Sequence, residues 1–328
     1  MQGGSLLPLA CALPFSAWQR QRLMQHGRLW LLRLPSTALQ LAAFIWLGAT
    51  LLAAPAAYAA PSFTEVKQAA TSSESLVLDR NGEVIHRLRS NPQERRGQWV
   101  TLADISPALR TAMVLSEDKR FYEHSGIDWR AVGAAAWGNL WNEKTRGAST
   151  ITMQLVGLIR AEPRSPGRRT MLQKFGQAAS ARMLDARWKK SEILEAYLNL
   201  VPFRGEIVGI DALSRTLFGK AAHGLNAREA AITAALVRAP NAPHQTVAQR
   251  ACGILASMQN VPRSPALCDS LSLFAAGVMQ RKAWSPNEGL APHLARKLLG
   301  KQSNGATVRS TLSAPLQRYA AQQLQQTM

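Results

Sequence analysis

The chain has 328 residues, 47% of them hydrophobic, and a formal net charge of +19. That is enough apolar content for a real core and enough length for two ordinary domains. The charge calls for an anionic partner, such as a membrane surface or a phosphate-bearing substrate; the basic residues are scattered and form no recognised nucleic-acid motif, so nucleic acid is set aside. The three cysteines, Cys11, Cys252 and Cys268, lack the spacing of a zinc site.

No Asp or Glu precedes Glu65, while Arg20, Arg22, Arg28 and Arg33 precede an apolar stretch from Thr37 to Pro61. This stretch is long enough to cross a bilayer as a helix, and the arginines favour a cytoplasmic start. The expectation is a basic cytoplasmic segment over 1–36 and a single transmembrane helix over 37–61, in the inner (plasma) membrane, with the rest extracytoplasmic or periplasmic. Ala57-Tyr58-Ala59 also fits a signal-peptidase site. Either reading exports everything after residue 60. In that compartment Cys252 and Cys268 can form a disulfide; two buried free thiols fit the sequence equally well.

Residues 62–105 read as a linker and a β-hairpin. The small, polar run 62–74 is the linker, and two apolar runs around Asn81-Gly82, between Ser75 and Leu88, are the hairpin. From 106 to 260 the pattern is helical. Ser106-Pro107 opens one helix, Ile127–Trp141 is a second, and others follow at about 170–187, 190–200 and 226–238. Arg160–Arg169, rich in Pro, Gly and Arg, is a loop. Residues 261–328 read as a C-terminal extension.

Glu117 and Asp118 are adjacent carboxylates, and His124 follows Glu117 by seven residues. If their helix continues, Glu117 and His124 share a face and can line one cleft, where a carboxylate is suited to general-base work. Taken alone, the run Glu117-Asp118-Lys119-Arg120 is a self-neutralising solvated surface.

Order along the chain changes that reading. Glu117-Asp118-x-x-Phe121-x-x-His124-x-Gly126 resembles the first signature motif of the family 51 peptidoglycan glycosyltransferases, the polymerase modules of class A penicillin-binding proteins. Gly147-Ala-Ser149-Thr150-Ile-Thr152-Met153-Gln154 resembles the second motif, and Lys174-x-x-Gln177 stands where the third is expected. Lys190-x-x-Ile193-Leu194-x-x-Tyr197-Leu198-Asn199 is similar to the fourth, and Arg250-x-x-x-Ile254-Leu255 to part of the fifth. Met153 and Gln177 resemble the penicillin-binding protein 1c subgroup.

The resemblance implies a mainly α, lysozyme-like glycosyltransferase domain that polymerises lipid II into glycan strands with inversion at the anomeric carbon. Glu117 would be the general base, and Gln177 occupies the position of the family's second glutamate. Asp118, Phe121, His124, Gly126, Ser149, Thr150, Gln154, Lys174, Asn199 and Arg250 would form the substrate-binding set, with Lys174 and Arg250 facing the pyrophosphate. The partners implied are lipid II, the growing strand, the bilayer and other cell-wall synthesis proteins. A divalent cation, magnesium, is the one cofactor in view; Gln177 would offer it no ionic ligand. Rival readings are a non-catalytic membrane scaffold and a lytic glycan-cleaving enzyme.

A transpeptidase would need Ser-x-x-Lys, Ser-x-Asn and Lys-Thr-Gly elements. Ser116-x-x-Lys119 lies inside the first motif, and no Lys-Thr-Gly exists. Arg309–Gln317 resembles the start of the transpeptidase-side region, so the expectation is a chain truncated before that domain and unable to react with penicillin.

Overall fold

The structure is a computed structural model that describes residues 60–140, 149–160, 171–280, 289–300 and 305–327. The basic segment, all but the last two residues of the expected transmembrane helix, and most of the loop at 160–169 lie outside the described residues. No helix among the described residues is long and apolar enough to cross a membrane.

The expected linker opens instead with a helix, α1 (Phe63–Ala69). Ser62 caps it: its hydroxyl accepts from the Glu65 amide at 3.2 Å, and Glu65 Oε2 accepts from the Ser62 amide at 2.7 Å. This reciprocal box satisfies donors that a short helix leaves open. Phe63 then wedges between Trp99 and Trp188, with ring centroids at 6.0 and 5.4 Å. The carbonyls of Ala60 and Pro61 accept from Arg187 and Trp188 at 2.9 and 3.1 Å. A segment that composition presents as a tether is thus fastened to the helical body.

Strands β1 (Glu74–Leu78) and β2 (Val84–Arg89) form the antiparallel hairpin expected around Asn81-Gly82. The hairpin is part of a larger sheet. Strand β5 (Thr307–Arg309) pairs parallel with the other edge of β1, giving the order β2-β1-β5. Val77 and Ile85 are fully buried beneath α11 (Pro292–Leu299), which contributes Ala295 and Leu299 to a small core of its own. Two-residue strands β3 (Arg95–Arg96) and β4 (Ile207–Val208) pair parallel nearby.

The main body is helical. Helix α2 (Pro107–Glu117) starts with Pro107 in its first turn, as Ser106-Pro107 predicts, and buries Leu109, Ala112, Met113 and Val114. Next come α3 (Trp129–Leu140), α4 (Ile151–Ile159), α5 (Met171–Arg187), α6 (Lys190–Leu200) and the single turn α7 (Ile210–Leu213). Helix α8 (Ala227–Arg238) is capped by Asn226, whose side chain accepts from the amides of Arg228 and Glu229. Its residues 229–236 are all buried, so α8 is the central helix, packed on α2 and on α9 (His244–Gln259). Helix α10 (Pro265–Met279) returns along α9 and is joined to it by a disulfide between Cys252 and Cys268. Helix α12 (Ala314–Thr327) closes the described chain.

Candidate active site

The cleft that matters lies where the C-terminal ends of α2 and α8 meet one face of α9. It encloses about 1070 Å³. Its α9 wall is Gln249, Arg250, Gly253, Ile254 and Ser257, while Val247, Ala248, Ala251, Cys252 and Leu255 on the other face enter the core. The 3.6-residue period of α9 thus divides its residues between cleft and core.

Glu117 is the last residue of α2, and its side chain is only 6% exposed. Three donors hold the carboxylate. Ser116 Oγ and Arg238 Nε reach Oε1 at 3.0 and 3.2 Å, and Gln154 Nε2 reaches Oε2 at 3.1 Å. A carboxylate oxygen has two lone-pair sites, so Oε1 is filled and Oε2 keeps one. Behind it, the Tyr197 hydroxyl donates to Gln154 Oε1 at 2.8 Å. Burial, and secondarily the Glu117 charge, raise the Tyr197 pKa well above its ordinary value, so the phenol stays a donor.

Glu117 and His124 do not share a helix face. The helix stops at Glu117, and Asp118 is already outside helical geometry with φ −157° and ψ 80°. His124 Nε2 turns instead to Asp118, at 2.9 and 3.0 Å from its two oxygens. Asp118 also accepts from the Ile151 amide at 3.1 Å, so this carboxylate bolts the first motif to the start of α4.

Several other expected contacts have their polar atoms engaged within the protein. Thr150 caps α4: its hydroxyl donates to the Gly126 carbonyl at 2.6 Å and accepts from the Met153 amide at 3.1 Å. Gly126 has φ +84°, and a Cβ there would stand 2.5 Å from the Ala181 carbonyl on α5, so glycine is required by close packing. Phe121 is fully buried, with Lys190 Nζ 4.6 Å from its ring centroid. Asn199 grips Val100, accepting from its amide at 2.9 Å and donating to its carbonyl at 2.8 Å. Gln177 is buried on α5 and is not among the residues lining the cleft. Thr150 also borders the cleft, and Phe121, Gly126, Asn199 and Gln177 stand behind it. Ser149 and Arg250 do line the cleft with Glu117. Lys174 lies on α5, and its side chain falls outside the described residues.

The charges in the cleft do not cancel. Arg238 is engaged by Glu117, and Arg120 binds Asp128 through two guanidinium nitrogens. Burial would raise Asp128, but the Ala131 amide and the Arg120 guanidinium outweigh it and hold its carboxyl below the usual range. Lys119, Arg250 and Arg263 also line the cleft and make no ion pair among the described residues. A concave site whose lining carries five cations against three carboxylates, beside an oriented Glu117, is built for an anion that reacts near a base.

Among the described residues no group of three or more His, Cys, Asp or Glu side chains could hold a metal ion. The cleft's carboxylates, Glu117, Asp118 and Asp128, are each already held by donors. The described residues of the cleft thus offer the expected magnesium no ready-made cage of carboxylate or imidazole ligands.

Residues 81–259 match the sequence profile of a family described as Transglycosylase, and all five motifs lie within that span. The chain belongs to the transglycosylase family. It is 43% identical over 143 residues to a biosynthetic peptidoglycan transglycosylase of Rhodospirillum centenum, covering 44% of this chain and 60% of the relative. A protein of the same description from Shewanella oneidensis is 36% identical over 174 residues, 51% of this chain and 72% of that one. Penicillin-binding protein 2D of Bacillus subtilis is 34% identical over 215 residues, 64% of this chain but 30% of its own length. The chain thus spans about 60% of the Rhodospirillum relative.

Sequence reasoning missed three site residues. Tyr197 was visible inside the fourth motif but carried no sign of its contact with Gln154. Arg238 lies 121 residues from Glu117, and Arg263 follows the helix of the fifth motif, so no local pattern marks either.

Proposed function

We propose that this chain is a peptidoglycan glycosyltransferase that builds glycan strands from a lipid-linked disaccharide pyrophosphate at the outer face of the plasma membrane. The observation that carries this reading is the environment of Glu117: a buried carboxylate fixed by three donors, with one lone pair left on Oε2, in a cleft with uncompensated cations.

The reaction balances with these groups. The acceptor sugar's 4-hydroxyl oxygen attacks the donor's anomeric carbon from the face opposite its pyrophosphate, and its proton passes to Glu117 Oε2. The bond from the anomeric carbon to the phosphate oxygen breaks, and the electron pair leaves with the lipid pyrophosphate. Arg250 and Lys119 stabilise the charge that develops there, acting in a site partly shielded from water. The family resemblance adds Lys174 to this set. Arg238 and Ser116 hold Oε1 and so aim the base.

Met153 and Gln177 favour a place in the 1c subgroup, and the family resemblance favours a lysozyme-like arrangement of the helices. The apolar stretch 37–61 and the excess of basic residues fit anchorage at an anionic bilayer. A lytic role on finished glycan would leave Lys119 and Arg250 without a pyrophosphate to meet, which favours polymerisation.

The test is incubation of the purified protein with labelled lipid-linked disaccharide, with products sized on a gel. Long strands that muramidase digestion breaks down are the expected result. Unchanged substrate, from a protein that shows a normal folded transition, would overturn the reading.

A further inference from the structure

The uncompensated cations of the cleft include one from outside the family match. Arg263 lies beyond residue 259, where the match ends, yet it lines the same cleft as Glu117 and Arg250. The chain brings it there by reversing direction. Asn260 adopts a left-handed conformation, φ 53° and ψ 41°, at the end of α9, and the Val261 amide donates to the Ala256 carbonyl at 3.0 Å. The following residues run back along α9. Arg263 Nη2 then donates to the Gln249 carbonyl at 3.1 Å, fourteen residues earlier in sequence, and the guanidinium lies over Gly253, within ordinary contact distance of that position.

The returning segment is tied at its far end as well. Ser264 caps α10, accepting from the Leu267 amide at 3.3 Å, and Cys268 in the first turns of α10 is bonded to Cys252 on α9. The turn at Asn260 and the disulfide therefore bracket Arg263. A guanidinium has five N–H donors. One hydrogen bond to Gln249 orients the group and leaves donors for a ligand in the cleft.

We propose that Arg263, held over the cleft by the loop that the Cys252–Cys268 disulfide closes, is a further pyrophosphate-binding residue. This rests on the glycosyltransferase reading and extends it: the ligand is the pyrophosphate of a lipid-linked sugar, gripped from the α9 wall by Arg250 and Arg263 together. Guanidinium groups suit this task because their planar fork matches phosphate oxygens. The disulfide is a positioning device, and it makes substrate affinity depend on the oxidised state of the two cysteines.

The probe is inorganic pyrophosphate, titrated by calorimetry into the full chain in detergent. Arg263→Gln is expected to weaken binding about tenfold, the worth of a hydrogen bond to a charged group, with no change in melting temperature. The same substitution placed on Cys252→Ser/Cys268→Ser is expected to cost less than about twofold, because an untethered arginine no longer contributes; this non-additivity separates positioning from bulk charge. Equal affinity of the wild type and Arg263→Gln, or a wild type that binds no pyrophosphate, overturns the proposal. A tenfold loss whether or not the disulfide is present overturns the positioning role. If the serine pair does not fold, the oxidised arm still decides the role of Arg263. A protein that binds pyrophosphate through Arg263 but makes no glycan sinks the polymerase reading alone. One that polymerises, with KM for the lipid substrate unchanged in Arg263→Gln, sinks this inference alone.

Discussion

Gln154 donates its side-chain amide to Glu117 Oε2 at 3.1 Å and presents its carbonyl to the Tyr197 hydroxyl at 2.8 Å. The phenol has no acceptor role in this chain of bonds, so it fixes which end of the amide faces the carboxylate. Orientation is passed from the core of α6 to the tip of α2 through a single side chain.

Replacing Glu117 with Gln should stop polymerisation with the fold intact. Volume and the hydrogen bond to Ser116 survive, and the proton acceptor is lost; removal of a general base costs on the order of 10²–10⁴-fold in rate. Strand synthesis by the variant at the parental rate, with a matching thermal transition, would remove Glu117 from the mechanism.

Tyr197→Phe should act through Gln154. Without the phenol, the amide is free to turn its oxygen toward Glu117, where two acceptors repel. The loss is that of one net hydrogen bond, about 1 kcal/mol or roughly fivefold, and it should fall on kcat with KM little changed. A change in KM alone would mean that Tyr197 shapes substrate binding instead. A residue that merely supported the fold would lower the melting temperature without this split.

His86 on β2 sets an acid limit on the small sheet. Burial, and then the charge of Arg296, depress its pKa below the ordinary value of 6.5. The unfolded chain therefore takes up a proton before the folded one does. Stability is complete above the unfolded pKa and declines as pH falls below it, toward the folded value. Melting temperature should drop between pH 7.5 and pH 5, and His86→Phe should flatten that part of the curve. A wild-type slope retained in the variant would place the acid sensitivity elsewhere.

Chelation of divalent cations should cost this chain at most a few-fold in strand synthesis. Hard cations favour free anionic oxygens, and each carboxylate lining the cleft already receives donors from the protein. A preparation fully inactivated by chelator and restored by magnesium would show that a metal enters with ligands these residues do not supply.

What could be read from sequence divides along the range of the interactions. Helices set by local periodicity and caps stand where expected: α6 covers 190–200 as predicted, and α2 begins at the Ser106-Pro107 signal. Ser62 and Glu65 form an equally local capping pair, but the small, polar composition of 62–74 reads as a linker. The shared face of Glu117 and His124 failed for a different reason. Periodicity assumes that the helix continues, and the chain leaves helical geometry at Asp118, where the side chain gains more by binding His124 and the α4 amide. The capping bond of Thr150, the close packing of Gly126 and the grip of Asn199 on Val100 leave no mark in the motifs, because a hydroxyl or amide that caps and one that binds substrate look alike in sequence. The pairing of β5 with β1 joins residues more than 220 positions apart and leaves no trace in either segment alone.

That pairing bears on the order in which the molecule can be assembled. One edge of β1 is satisfied by β2 within a dozen residues, while the other waits for Thr307–Arg309. At ordinary ribosomal speeds the interval is about 10 to 45 seconds, during which an apolar strand edge is open to any extended chain that meets it. A nascent chain of this sequence therefore has reason to need a holding chaperone until Thr307–Arg309 emerges, and release before that point would favour strand exchange between copies over closure of the sheet.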